Sequence, residues 1–279
     1  MRDESIDGLV VRIRDYGDHD RYLSVLTAQK GRITLLAKGS RSLKGQQTAV
    51  SQLYSYANFE YYRKGDFNIL KSGALHNAFY ALSMDIDRLD LAAYLCDLAC
   101  ELTDEGEEAG DLLRLMLNAL YAIAHAKYPF EIIKGAVEMR AMAMSGYEPE
   151  LACCSTCGTV EAELLYLNVM GGALICPECL KKQGNAHRKI TPDAYDEVRE
   201  AELLCKLSPA VTAALRYVIH APIERIFSFD LKDQEDLAAF AKTAETYTLS
   251  HLGRGFDSLN FYHAMRESAA KPPHEGTTV

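Results

Sequence analysis

Over the first seventy-five positions, apolar residues come in short runs separated by glycine and charged residues. Ile6 to Arg14 is rich in β-branched and apolar side chains and stops at Tyr16-Gly17. Tyr22–Thr27 and Arg32–Ala37 flank Gln29-Lys30-Gly31, a hairpin signal in which Gly31 can take the positive-φ position. Leu53 to Tyr62 alternates: Leu53, Ala57, Phe59 and Tyr61 fall on one face, and Tyr54, Tyr56 and Tyr62 on the other. Lys64-Gly65-Asp66 then turns into Phe67–Lys71. Five short strands with no helical spacer predict a small antiparallel barrel, with the five-stranded oligonucleotide-binding barrel as the leading candidate.

Beyond Gly73 the apolar period lengthens to that of a helix. Segments 85–101, 111–126 and 130–145 carry it, and Tyr128-Pro129 divides the last two because proline can open a helix. Gly146-Tyr-Glu-Pro149 stops the third. The period resumes at Thr191-Pro192-Asp193 and again over 209–220 and 233–252. Nothing repeats internally. The expected architecture is α+β: a barrel domain over 1–76, then a helical domain over 77–265. The latter carries an inserted cysteine segment at about 150–182, and a structureless tail follows over 266–279.

That insertion holds the sharpest chemical signal, Cys154-Ser-Thr-Cys157 and Cys176-Pro-Glu-Cys179 with eighteen residues between the pairs. A tetrahedral Zn2+ takes four thiolates at about 2.3 Å, and each Cys-x-x-Cys turn delivers two. Gly158 allows the chain to curl after the first pair, and Gly171-Gly172 suit a hairpin before the second. Cys153 offers an alternative first ligand with three residues before Cys157. The two-residue spacing of the second pair favours Cys154. A closed four-cysteine site leaves no open position for water or substrate, so the expected zinc is structural. Cys96 and Cys100, four apart on a helix, read as a redox pair or as two small buried hydrophobes.

Net charge is −9, which alone argues against a polyanionic partner. Its distribution reverses that inference. Residues 1–75 hold twelve Lys and Arg against eight Asp and Glu, +4, which leaves −13 for the remainder. Lys38, Arg41 and Lys44 crowd the glycine- and serine-containing loop after the third strand, where backbone can approach phosphate. Arg12, Arg14 and Arg32 would project opposite their apolar strand neighbours. Tyr54, Tyr56 and Tyr62 either stack on bases or pack. There is no run of eighteen uncharged apolar residues to span a membrane and no secretory pattern at the start, so a cytoplasmic protein is expected. No Gly-x-Ser-x-Gly or His-Glu-x-x-His occurs, and no histidine is followed two residues on by Glu. Nothing demands an enzyme.

These residues lead only to a basic small barrel joined to an acidic, zinc-bearing helical domain. The assembled order resembles the bacterial recombination mediator RecO family. Gly8-Leu-Val-Val-Arg-Ile-Arg-Asp-Tyr-Gly-Asp-His-Asp20 is similar to that family's first strand and turn, and Leu35-Leu-Ala-Lys-Gly-Ser-Arg41 to its basic segment. Gly146-Tyr-Glu-Pro-Glu-Leu151 and the two cysteine pairs are similar to its zinc region. Ser40 and Ser42 depart from that family's usual Ala and second Arg. The resemblance implies a non-enzymatic DNA repair factor that binds single- and double-stranded DNA and anneals complementary strands. It also implies that, with RecR, the protein helps RecA onto DNA coated by single-stranded DNA-binding protein, at the nucleoid when bound to DNA. A structural adaptor whose barrel binds protein is the other reading, and binding to single-stranded DNA under a salt titration would separate the two.

Overall fold

A computed structural model of the chain describes residues 3–42, 47–187 and 203–270. The elements run β1 (Asp3–Tyr16), β2 (Asp20–Thr27), β3 (Gly31–Ala37), β4 (Tyr56–Lys64), β5 (Phe67–Asn77), α1 (Ile86–Glu101), α2 (Gly110–Ala124) and α3 (Phe130–Met144). They continue as β6 (Glu150–Cys154), β7 (Leu165–Asn168), β8 (Ala173–Ile175), α4 (Pro177–His187), β9 (Leu204–Leu207), α5 (Pro209–His220), α6 (Gln234–Leu252) and α7 (Asp257–Ala270). By compactness the chain divides into two units, Met1–Lys127 with Gly255–Val279, and Tyr128–Arg254.

In the first unit, β1 to β5 close in the order β1-β2-β3-β5-β4, with β1 against β4 and β3 parallel to β5. This is the oligonucleotide-binding barrel, and with the helices it makes the fold α+β. Alternating side chains fill the interior, among them Ile6, Val10, Leu23, Val25, Ile33, Leu35, Phe59 and Leu70. A bulge between Val10 and Arg12 makes Val11 the extra residue. It keeps Ile13 against the core while Arg12, opposite Ser24, and Arg14, opposite Tyr22, stand outside. Arg32, opposite Leu26, is also outside. The three arginines thus oppose their apolar neighbours, as the alternation predicts.

Helices α1 and α2 cover part of that outer surface. Their connection runs along the β2–β3 hairpin: Arg32 N–H donates to Asp104 O (3.2 Å), Gly106 N–H to Lys30 O (3.0 Å) and Ala109 N–H to Ala28 O (2.9 Å). Gly31, at φ +59°, meets two demands at once. It closes the hairpin, and any Cβ there would collide with the Asp104 carbonyl. Helix α1, capped by Asp85, is buried on nearly every side, so its apolar period does not mark a single face. Cys96 and Cys100 lie in this core, where burial pushes both thiols up and out of the reactive range.

Tyr54 departs from expectation. Strand β4 begins only at Tyr56, because Tyr54 N–H donates to Val10 O and Val10 N–H to Ser55 O, both at 2.9 Å, turning the chain at the β1 bulge. Tyr54 takes φ 66°, and its ring is buried, with the hydroxyl 3.4 Å from Leu89 O. Burial pushes that phenol up. It packs and cannot stack on a base.

In the second unit, α3 and α6 cross closely because Gly135 leaves room for the Phe240 ring, which an added Cβ would approach to 2.6 Å. Buried Lys134 bridges Glu138 (2.8 Å) and Glu245 (2.6 Å) at the same crossing. Ser208 caps α5 and Asp233 caps α6. The sheet order is β6-β8-β7-β9. Strand β9 and helix α7 were not foreseen, and α7 carries regular structure to Ala270, into the stretch expected as tail. The segment at Thr191-Pro192-Asp193, Lys44 and the tail beyond Ala270 lie outside the described residues. No helix among the described residues is long and apolar enough to cross a membrane.

Candidate nucleic-acid interface and metal centre

The six cations singled out by sequence are not one group. Arg12 donates to Asp97 of α1 at 2.7 Å, and Asp97 also accepts from Ser258 of α7 at 2.8 Å. This bond raises the Arg12 pKa. Arg32 donates to Thr103 O at 3.1 Å, with Asp104 at 3.9 Å. Both side chains are spent on holding helices to the barrel.

Arg14, Lys38 and Arg41 lie at the other end. The Arg14 guanidinium stands 5.2 Å from the centre of the Tyr22 ring, and Tyr22 lies 4.9 Å from the ring of Tyr16. Arg41 reaches Gly17 O (3.2 Å) and Asp15 (3.6 Å), and Asp15 also accepts from Arg21 at 3.1 Å. Arg41 N–H bonds His19 O (3.1 Å) and Gly39 N–H bonds Asp20 (2.8 Å), so the β1–β2 turn and the loop after β3 hold each other. Lys38 is exposed and meets no carboxylate among the described residues. Tyr62 faces outward and is half-buried, while Tyr56 packs 5.1 Å from His76. The aromatic groups beside these cations are instead Tyr16 and Tyr22, whereas Phe67 and Arg63 flank the β4–β5 turn at the other end of the barrel, where the β2–β3 hairpin also lies. Tyr16 flanks the turn glycine Gly17, and Tyr22 faces Arg14 across the β1–β2 pair. That was the only signal available, and it gains meaning once the barrel closes.

In the second unit, Cys154, Cys157, Cys176 and Cys179 converge with all sulfurs within 4.8 Å of one another. Cys153, half-buried, is not in the group. The first turn is shaped by Gly158 N–H donating to Cys154 O (2.9 Å) with Gly158 at φ 75°, and the second by Leu180 N–H donating to Cys176 O (3.0 Å). The β7–β8 hairpin, turned by Gly172 at φ 60°, returns the chain from one pair to the other. A metal with 2.3 Å bonds to sulfur needs tetrahedral edges of about 3.8 Å. Cys157 Sγ and Cys176 Sγ are 3.7 Å apart. Cys176 N–H donates to Cys154 Sγ at 3.3 Å. Burial pushes the Cys154 thiol up, but the backbone N–H groups of Cys176, Cys157 and Thr156 outweigh it and bring the thiol to about 6. Cys157 is held down by Thr159, whereas Cys179, against the sulfurs of Cys157 and Cys176, is pushed up to about 12. Four crowded thiols resist becoming four thiolates until a cation joins them. The four cysteines could hold a metal ion, and the donor set fits one.

A closed oligonucleotide-binding barrel with cations and aromatics at one end, followed by helices and four clustered cysteines that could hold a metal ion, defines the class of barrel-plus-helical proteins with a four-cysteine centre. The comparisons narrow this class. The family model described as recombination protein O N terminal matches residues 1–79, and the one described as recombination protein O C terminal matches 83–196. The chain belongs to the recombination protein O (RecO) family. It is 27% identical over 259 residues to the DNA repair protein RecO of Acetivibrio thermocellus, covering 92% of this chain and 95% of that protein. It is 32% identical over 173 residues to that of Alkaliphilus metalliredigens, covering 62% and 70%. Against that of Symbiobacterium thermophilum it is 27% identical over 268 residues, covering 95% and 98%.

Proposed function

We propose that the protein is a non-enzymatic DNA repair factor of the cytoplasm that binds single- and double-stranded DNA and anneals complementary strands. With RecR it helps load RecA on DNA coated by single-stranded DNA-binding protein. Family membership supports the repair role. The observation that carries the DNA reading is the gathering of Arg14, Lys38 and Arg41 beside Tyr16 and Tyr22 at one end of the barrel. Annealing makes and breaks no covalent bond. It requires that phosphates of two strands be neutralised while base edges stay free, a task suited to Arg14, Lys38 and Arg41. Lys44 belongs to the same basic loop. Arg12 and Arg32 serve this surface indirectly by fixing the barrel to its helices. The acidic residues after position 76 leave their surface to protein partners, because net −13 repels DNA.

The cysteine clasp is assigned to structural Zn2+, bound by Cys154, Cys157, Cys176 and Cys179. Bound there, zinc supplies a cross-link and no chemistry, since all four positions are thiolates. Metal analysis of purified protein should give one zinc per chain. Cys157→Ser should lose it and unfold the second unit at lower urea, because such binding is coupled to folding. Full zinc in that variant would overturn the ligand set. The function itself is tested by mixing naked complementary strands with the purified protein in low salt. Faster annealing is expected, and an unchanged rate would refute the proposal.

A further inference from the structure

On the side of the barrel, between the outer face of β2 and β3 and the start of β5, lies a cleft of about 150 Å3 that the α1–α2 connection borders through Glu105. Tyr22, Phe67 and Asn68 line it, together with Arg63, Asp66 and Glu105. Phe67 is 51% exposed and Tyr16 is 52% exposed, although each side chain is mostly apolar. Two acids lining the cleft repel phosphate, yet they are good acceptors for the amino and imino hydrogens of a nucleobase. A cavity of about 150 Å3 holds one benzene-sized ring.

We infer, resting on the nucleic-acid reading above, that this cleft takes one unpaired base of a single strand. Phe67 and Tyr22 supply ring faces for it, Arg63 meets the backbone at its edge, and Arg14 does so beside Tyr22. A base within a duplex is already stacked and paired and cannot enter. The cleft therefore selects single strands, while the cations alone accept both forms.

Stacking on an aromatic side chain is worth roughly 1–3 kcal/mol per base on alanine substitution, which is about five- to 150-fold in affinity. The test uses full-length protein, a labelled mixed-sequence oligonucleotide and its duplex, with anisotropy read at several salt concentrations. Phe67→Ala should weaken single-strand binding by at least about fivefold and leave duplex affinity unchanged, and Phe67→Tyr should restore it. The salt slope should stay as in the wild type, because no phosphate contact is lost. Phe67 follows a turn and is half exposed, so the variants should keep the wild-type urea midpoint. If wild type binds both forms and Phe67→Ala weakens both equally, or neither, the base cleft is wrong and the DNA reading survives. If wild type binds neither form, the DNA reading fails and takes this inference with it.

Discussion

Arg12 and Arg14 stand two residues apart on β1, both on the outer face of the barrel, yet Arg12 ends on Asp97 of α1 and Arg14 over the ring of Tyr22. The same division separates Arg32, which donates to the α1–α2 connection, from Lys38, which meets no carboxylate among the described residues. On the covered half, apolar neighbours such as Leu9, Leu26 and Tyr54 are sealed by helices, and a cation finds fixed carbonyls and carboxylates at hand. On the open half, Tyr16 stays half exposed and Arg14 lies over an aromatic ring in place of a carboxylate. Strand alternation places an arginine outside the barrel, but what covers that patch decides whether it is a tie or a contact.

The strongest test of the covered half is Gly31→Ala. A left-handed φ costs an alanine roughly 1–2 kcal/mol, and overpacking against the Asp104 carbonyl adds roughly 1–3 kcal/mol. A loss of roughly 2–5 kcal/mol in urea unfolding is expected, with the folded fraction keeping its DNA affinity. A benign substitution would mean that the α1–α2 connection is not held against the hairpin.

The open half is tested by Arg14→Glu together with Lys38→Glu. Two lost phosphate contacts should shallow the log–log salt dependence of duplex binding by about 1.8, with the urea midpoint unchanged. Arg12→Ala should do the reverse. It should cost about 0.5–1 kcal/mol of stability, the upper range for a partly exposed pair, and leave the salt slope alone. If Arg12→Ala shallowed the slope as Arg14→Glu does, the division between the halves would collapse.

Much of this arrangement was legible in the sequence. The five strands, the Gly31 hairpin, the long helices ending at Glu101, Met144, His220 and Leu252, and the four converging cysteines all follow from local pattern, because period, turn residues and ligand spacing are properties of short segments. Tyr54 was misread because its face is set by a turn that bonds to the β1 bulge. The ties of Arg12 and Arg32 were invisible because Asp97 and Thr103 lie 85 and 71 residues away. The buried Lys134–Glu138–Glu245 group escaped for a related reason. Charged residues at helical spacing look solvated until a second helix crosses them. Helix α7 has a weak apolar period, and it is recognised through Ser258 and Phe256 meeting α1.

The smallest effect is expected at the acidic end of β1, where Asp7 shares the outer face with the arginines. The Asn58 amide donates to it at 2.9 Å and His76 lies 3.1 Å away, and both hold its carboxyl below the usual range. A carboxyl lowered in the folded state binds fewer protons there than in the unfolded chain. Its stabilisation is therefore complete above the unfolded pKa of about 3.9 and fades as the pH falls through the folded value. Asp7→Asn should be slightly less stable than wild type at pH 7, with the two curves converging below about pH 4. Urea midpoints at pH 7, 4 and 3 measure this directly. Duplex affinity at pH 7 should keep the wild-type salt slope, since Asp7 contacts Asn58 and His76 and no phosphate. A gap that widens on acidification would mean that Asp7 is buried against its neighbours more than paired with them, and the outer face of β1 would then have a third kind of surface.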